Sequence, residues 1–183
     1  RVALLSKIGY EDPYRAVTNN KGIMNGVDAV LIATGNDYRA IESATAVLAN
    51  QDGHYRSLSK WTMQDGKLVG ELTLPMAIGV VGGSIKARKD VQQSFAILGK
   101  KITSAKLAEI IVSVGLANNL AALLAISTVG IQAGHMKLQA RNIVAELDAS
   151  DDEKKQVLTQ IIEQKDYSES YAQLVLKQIR EGK

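Results

Sequence analysis

Residues 20–37 read Asn20-Lys21-Gly22-Ile23-Met24-Asn25-Gly26-Val27-Asp28-Ala29-Val30-Leu31-Ile32-Ala33-Thr34-Gly35-Asn36-Asp37. Apolar residues recur at 23, 27, 30 and 31, the spacing of one helical face rather than of an alternating strand, so the stretch predicts a helix over Gly22 to Thr34. Gly35-Asn36-Asp37 then breaks and restarts the chain. Asp37 takes the place of an N-cap or first-turn residue of a second helix, Tyr38 to Asn50, with Ala40, Ile41, Ala44, Val47 and Leu48 as its buried stripe. Lys21 stands near one end of the apolar run and Asp37 at the other. Burial of the run carries both toward a shared interior, where an amine and a carboxylate must pair or shift their pKa values. That is the raw material of a proton-handling site.

Upstream, Arg1 to Gly9 is too short to classify. Asp12-Pro13 is a helix start, so Tyr14 to Thr18 reads as a short helix carrying Arg15, ended by Asn19-Asn20. Downstream, Asp52-Gly53 stops the second helix and the period changes. His54 to Gln64 and Lys67 to Met76 flank Asp65-Gly66, the dipeptide of a two-residue hairpin turn, and Leu68, Gly70, Leu72 and Leu74 share one face of a one-sided sheet. After Pro75, the segment Ile78 to Ser84 leads to a helix from Ile85 to Leu98. Thr103 to Gly130 is the longest apolar helical run. Its length suits a membrane span, but Lys106, Glu109, Asn118 and Asn119 interrupt it, and a buried central helix is the reading adopted. Each interior amide then needs partners, in protein or ligand. Beyond Gly134, charged amphipathic helices are expected over Met136 to Leu147, Asp151 to Gln164 and Ser168 to Arg180. They form a small subdomain with His135 at its hinge.

Composition narrows the classes. The 183 residues suit one domain with an appendage, and 46% hydrophobic with 22% charged residues is ordinary globular usage. A net charge of +3, with Lys and Arg scattered among acids, does not demand nucleic acid. The absence of Cys rules out disulfides and Cys-based metal sites, two His cannot build a usual zinc centre, and a reducing cytoplasm is the simplest compartment. The start at Arg1 lacks a signal peptide and reads as the interior of a longer polypeptide. Physics alone thus predicts an α+β domain with a buried amide pair and a Lys/Asp/His set. His135 earns attention because imidazole exchanges protons near neutrality. The glycines of 79–83 match neither the Walker pattern nor the dinucleotide fingerprint. Lys86, Arg88, Lys89, Lys100 and Lys101 flank the helix after them and read as a solvated face. A non-catalytic module using that face to bind an acidic partner is the rival function.

Asn20-Lys21-Gly22-Ile23-Met24-Asn25-Gly26, Gly35-Asn36-Asp37, Gly115-Leu116-Ala117-Asn118-Asn119-Leu120-Ala121-Ala122 and Gly134-His135-Met136, in that order, resemble bacterial, class II, 3-hydroxy-3-methylglutaryl-CoA (HMG-CoA) reductase. His54-Tyr55-Arg56-Ser57-Leu58 and Leu74-Pro75-Met76 extend the likeness over nearly the whole chain, as the C-terminal portion of that enzyme. The resemblance implies reduction of HMG-CoA to mevalonate and CoA with two NADPH or NADH, by a homodimer or higher homo-oligomer without nucleic acid or membrane. It makes Lys21 the cation that polarises each carbonyl, Asp37 the group that tunes it, and His135 the acid that protonates the departing CoA thiolate. Arg15 and Asn25 match positions that contact the HMG portion, and Asn118, commonly Gln in the family, and Asn119 fall in the stretch lining the same pocket. Lys21, Asp37 and the Asn25 amide are expected to converge. Residues 1–133 correspond to part of the substrate-binding large domain and 134–183 to a C-terminal helical flap. The family's catalytic Glu and its small NAD(P)-binding domain, with the cofactor-binding residues, are expected in sequence outside this chain, which alone should not turn over substrate.

Overall fold

The computed structural model describes residues 1–99, 101–128 and 130–182, and their side chains except at Ser84 and 131–135. The fold is α+β, helix-rich with one two-stranded antiparallel sheet. It divides into two compact units, Arg1–Ser127 and Thr128–Lys183, each with its own core. The sequence placed the domain boundary a few residues later, at 133/134.

The first unit begins with a helix that the sequence left unclassified, α1 (Val2–Glu11). Asp12 then caps α2 (Pro13–Ala33), its Oδ1 accepting from the Tyr14 N–H at 2.9 Å, with Pro13 at the first helical position. Asn19-Asn20 does not end this helix, which runs unbroken for 21 residues. Asn is a poor interior residue because its side chain competes for local backbone groups, but here both amides are engaged elsewhere. Asn19 Nδ2 donates to Ser57 Oγ at 2.6 Å, and Asn20 donates to the Arg56 carbonyl at 2.8 Å while its Oδ1 accepts from Leu58 N–H at 2.9 Å. The two residues dock the extended linker 55–58 onto α2.

At the other end Gly35, with φ of 69°, closes α2 in a Schellman turn: Asn36 N–H reaches the Leu31 carbonyl and Gly35 N–H the Ile32 carbonyl. Asp37 caps α3 (Tyr38–Ala49) as the sequence predicts. The stripe of α3 differs from expectation: Ile41, Thr45 and Ala49 are buried, and Val47 is 73% exposed. The hairpin β1 (Ser59–Gln64) and β2 (Lys67–Leu72) is shorter than predicted but turns at Asp65-Gly66, whose φ values of 49° and 76° are those of a type I′ turn. Trp61 pairs with Gly70 across the strands and lays its indole over it, where a Cβ would meet the ring at 2.3 Å.

The single helix expected over Ile85 to Leu98 is two, α4 (Gly83–Ala87) and α5 (Lys89–Leu98). They are separated by an extended Arg88 whose guanidinium turns onto Asp90. Next comes α6 (Ser104–Ser127), which the sequence placed in the core on all sides. Only one stripe is buried, Leu107, Ile111, Gly115, Asn119 and Leu123, and Val114 and Leu124 are exposed. By length and composition α6 could cross a membrane. Its buried stripe instead lies on Ile23, Val27 and Leu31 of α2.

The crossing of α2 and α6 is close. A Cβ at Gly26 would meet Asn118 Cβ at 3.1 Å and Val114 Cγ1 at 3.2 Å, and a Cβ at Gly115 would stand 2.8 Å from Val27 Cγ2. The glycines are therefore contact residues between two backbones.

The second unit holds three helices, α7 (Ile131–Glu146), α8 (Asp151–Gln164) and α9 (Glu169–Arg180), around Ala140, Val144, Val157, Ile161, Ala172 and Val175; α7 begins five residues before the expected Met136, so His135 lies within the helix and not at a hinge ahead of it. Ser150 and Glu153 form a reciprocal capping box on α8. Arg180 Nε bonds Glu153 Oε1 at 2.8 Å, and that guanidinium, with Ser150, holds the Glu153 carboxyl down at about 2.

Gly115→Ala should destabilise the intact protein by about 1–3 kcal/mol through overpacking at the crossing. Gly83→Ala, where an added Cβ meets nothing within 4 Å, should change stability by no more than about 0.5 kcal/mol. Denaturant melts of the two variants check this, and equal losses would reject the crossing as the constraint.

Candidate functional site

Three of the residues singled out from sequence ride on α2. Lys21 and Asn25 are one turn apart on an exposed face, and each immediately precedes a glycine on the side facing α6. Asn118 of α6 donates its side-chain N–H to the carbonyl of Gly22, so the half-buried amide grips α2 at the residue next to Lys21. Arg15 lies in the first turn of α2, bonded to Thr18 Oγ1. Its Cα precedes that of Lys21 by about 9 Å along the axis at 1.5 Å per residue. The side chains of Lys21 and Asn25 make no hydrogen bond or ion pair among the described residues. They are polar groups held by a rigid helix and turned outward. The structure therefore brings Lys21, Asn25 and Asn118 together.

It does not bring Asp37 to them. Lys21 to Ala33 alone spans about 18 Å of helix, and Asp37 lies beyond the Schellman turn. The expectation of convergence fails within one chain for a physical reason: a continuous helix is a spacer, and burying its apolar face cannot fold its two ends together. Asp37 Oδ1 instead accepts from Arg39 N–H at 3.1 Å and Ala40 N–H at 3.4 Å and lies 3.5 Å from Arg39 Nε. Its other oxygen takes part in none of these bonds, and the side chain is 59% exposed. Between Gly35 and Asp37, Asn36 pins the glycine segment, accepting from Gly79 N–H at 2.8 Å and donating to the Gly79 carbonyl at 3.2 Å. Each member of the tripeptide thus has a local task.

Asn119 is the second correction. It is 1% exposed and its bonds are all internal. Its Oδ1 accepts from Trp61 Nε1 at 2.7 Å and Ser59 Oγ at 2.9 Å, and its Nδ2 donates to Asn19 Oδ1 at 2.9 Å. It knits α2, α6 and β1 together. His135 belongs to α7 of the second unit, and its side chain lies outside the described residues. Of the basic set, Lys86, Arg88, Lys89 and Lys101 are exposed, and Lys100 lies outside the described residues.

Asp28 is not among the residues singled out from sequence. It sits on α2 two turns beyond Lys21, its Oδ1 is buried without a hydrogen-bond partner, and burial together with the neighbouring Glu42 of α3 raises its carboxyl to about 6. An acid inside an apolar helical run was the available signal. A concavity of about 620 Å³ between α1 and β1 is lined by Ser6, Tyr10, Trp61 and Met63, and holds none of the residues singled out from sequence. Among the described residues no three His, Cys, Asp or Glu gather as metal ligands do.

Residues 1–140 match the family model described as hydroxymethylglutaryl-coenzyme A reductase. The chain is 43% identical over 170 residues to the 3-hydroxy-3-methylglutaryl-coenzyme A reductase of Archaeoglobus fulgidus, covering 92% of this chain and 38% of that protein. It is 40% identical to a probable enzyme of the same name from Borreliella burgdorferi, over 98% of this chain and 42% of the relative. Among solved structures, the reductase of Streptococcus pneumoniae superposes with a TM-score of 0.68 at 46% identity, over 97% of this chain and 42% of that one. A class II enzyme of the same organism, solved with NADPH in open conformations, gives the same score and identity. The chain thus spans about two-fifths of the length of the relatives it matches.

Asn119→Ala should cost the intact protein about 2–4 kcal/mol, because the indole N–H, Ser59 and Asn19 lose a shared buried partner. Lys21→Ala, at an exposed position, should leave stability within about 0.5 kcal/mol. Thermal melts distinguish the two, and an undisturbed Asn119→Ala melt would contradict the network.

Proposed function

The chain belongs to the hydroxymethylglutaryl-coenzyme A reductase family, and from that premise we propose that it carries part of the substrate-binding domain and the C-terminal flap of a class II enzyme converting HMG-CoA to mevalonate and CoA. The observation that carries the reading is the placement of Lys21: an ammonium without an internal partner, fixed by a long helix beside Asn25 and the Asn118 grip. Reduction of a thioester to an alcohol passes through two carbonyls, each of which gathers negative charge on oxygen as it is attacked. An ammonium donor at a fixed point serves both. Asn25 and Arg15, on the same helix, supply an amide and a guanidinium for the carboxylate and hydroxyl of the HMG portion. His135 gives a proton to the CoA thiolate as the hemithioacetal collapses to the aldehyde.

NADPH or NADH, as the reductant, supplies one hydride to each carbonyl. The glycines of this chain do not fit a dinucleotide cradle, because Gly79 is bonded to Asn36 and Gly82-Gly83 opens a five-residue helix. The cofactor's seat is assigned to the part of the enzyme outside this chain.

The separation of Lys21 from Asp37 calls for a second subunit. A twofold axis passing near Ala29, midway between them in sequence, sets Lys21 against Asp37 of the partner subunit, whose unbonded carboxyl oxygen is free to receive it. The exposed Tyr14, Val17 and Ile32 on α2, and Val114 and Leu124 on α6, are the apolar surface such a pairing would cover. A non-catalytic module would also show Lys21 and Asp37 apart, but it gives no reason for the Lys21, Asn25 and Asn118 grouping.

In the intact enzyme, Lys21→Ala should lower kcat by at least about 10²–10³-fold, and Asp37→Asn should be similarly impaired. Mixing the two inactive variants as subunits should restore about a quarter of wild-type activity, since half the dimers are mixed and each mixed dimer holds one intact site. No recovery on proven subunit exchange would place both residues in one chain's site, and near-normal turnover by Lys21→Ala would remove its assigned role.

A further inference from the structure

Four consecutive residues of β1, Lys60 to Met63, line the concavity beside α1. Side chains alternate between the two faces of a strand, so consecutive residues share one hollow only where the strand presents its edge. The opposite wall is one face of α1, including Ser6 and Tyr10. The hollow is therefore a groove along a sheet edge, and what it offers is backbone as much as side chain.

Strand pairing fixes which groups that edge carries. In a two-residue hairpin the pair that closes the turn, Gln64 with Lys67, is hydrogen-bonded, and the kind of pair alternates along the ladder. The N–H and C=O groups of Thr62 and Lys60 therefore point at β2, and those of Ser59, Trp61 and Met63 point away from it. Two of the outward groups are met by hydroxyls: Trp61 N–H donates to Ser6 Oγ at 2.9 Å, and the Ser59 carbonyl accepts from Ser57 Oγ at 2.9 Å. The Trp61 carbonyl and both backbone groups of Met63 have no partner among the described residues. Serines close the edge at one end, and it stands open at the other. Native proteins guard such an edge with a bulge or a proline. β1 has neither across its six pairs with β2, and beside the open groups Met63 is 59% exposed and Tyr10 48%.

We propose that the groove between α1 and β1 is the seat of a third strand, supplied by the same polypeptide from outside residues 1–183, which pairs with β1 at Met63 and Trp61 and stops where Ser6 occupies the edge. The incoming strand is short, because the open groups span only Trp61 to Met63. Its backbone exchanges two hydrogen bonds with Met63 and gives one to the Trp61 carbonyl, and its side chains cover Met63 and Tyr10. The relatives carry more than half of their length outside the part that this chain matches, which is ample for such a strand.

A second copy of the chain fits the groove worse, since pairing two β1 edges would bring two copies of α1 into one space. The inference needs the fold and the family membership alone. None of the roles proposed for Lys21, Asp37 or His135 enters it.

The test uses the intact enzyme and reads no turnover, so its outcome is separate from that of the proposed reaction. Hydrogen exchange resolved to single residues should find the Met63 amide slower by at least about 100-fold than in an unstructured chain. The photo-cross-linker benzoylphenylalanine, placed at position 63 and separately at the exposed position 60, should be captured by a segment outside residues 1–183. In enzyme assembled from light and heavy-isotope subunits, those cross-links should join peptides of one label only. Position 60 decides the matter if the bulk at 63 displaces the strand. A Met63 amide that exchanges faster than this would overturn the third strand. So would cross-links that stay within residues 1–183, or that join the two labels and hand the groove to a neighbouring subunit.

Discussion

Two helices that approach until a Cβ has no room fix the geometry of the first unit. The contact of α2 with α6 runs over Gly26 and Gly115, and Asn118 reaches across it to the Gly22 carbonyl. Because the backbones nearly touch, neither helix can slide or rotate without losing dispersion contacts on both sides. Lys21 and Asn25, each one residue before a contact glycine, inherit that rigidity. A functional side chain on such a helix is placed by packing it does not itself make.

The crossing is reinforced by a polar interior. Asn19, Ser57, Ser59, Trp61 and Asn119 satisfy one another, with Asn119 accepting twice and donating once. Such a network adds little net energy compared with apolar packing, but it tolerates one arrangement only. It selects the register of β1 against both helices, and the indole over Gly70 continues that selection into β2. The second unit is built otherwise, from amphipathic helices with local caps, and needs no buried amide of this kind among its described core residues.

Legibility in the sequence followed the range of the interaction. Asp12-Pro13, Asp37 and Asp65-Gly66 were readable because a cap or a type I′ turn is decided within four residues. The continuity of α2 was not, since the partners that keep Asn19 and Asn20 from ending the helix lie 36 to 100 positions away. Interior amides need partners, and Asn119 finds its own within the fold, in Trp61, Ser59 and Asn19; Asn19, the other half of the network, carries the same signal in the sequence. That Arg15, Lys21 and Asn25 ride on one helix was not legible, because the expected stop at Asn19-Asn20 divided them. The place of Asp37 was misread by reasoning from burial without the length of the rod. Asp28 was overlooked because an isolated acid in an apolar run looks like a solvated helix position until its neighbour on α3 is known.

The bond between Asn119 and Asn19 joins residues 100 positions apart. During synthesis at about 5–20 residues per second, Asn19 therefore waits on the order of 5–20 s for its partner on α6 to arrive. In that interval the newborn helix presents a bare glycine groove, and Asn19 has only Ser57 and Ser59 as partners. The nascent chain is thus most exposed to misassociation just before α6 emerges from the ribosome, and its folding is gated by translation rather than by the speed of helix formation.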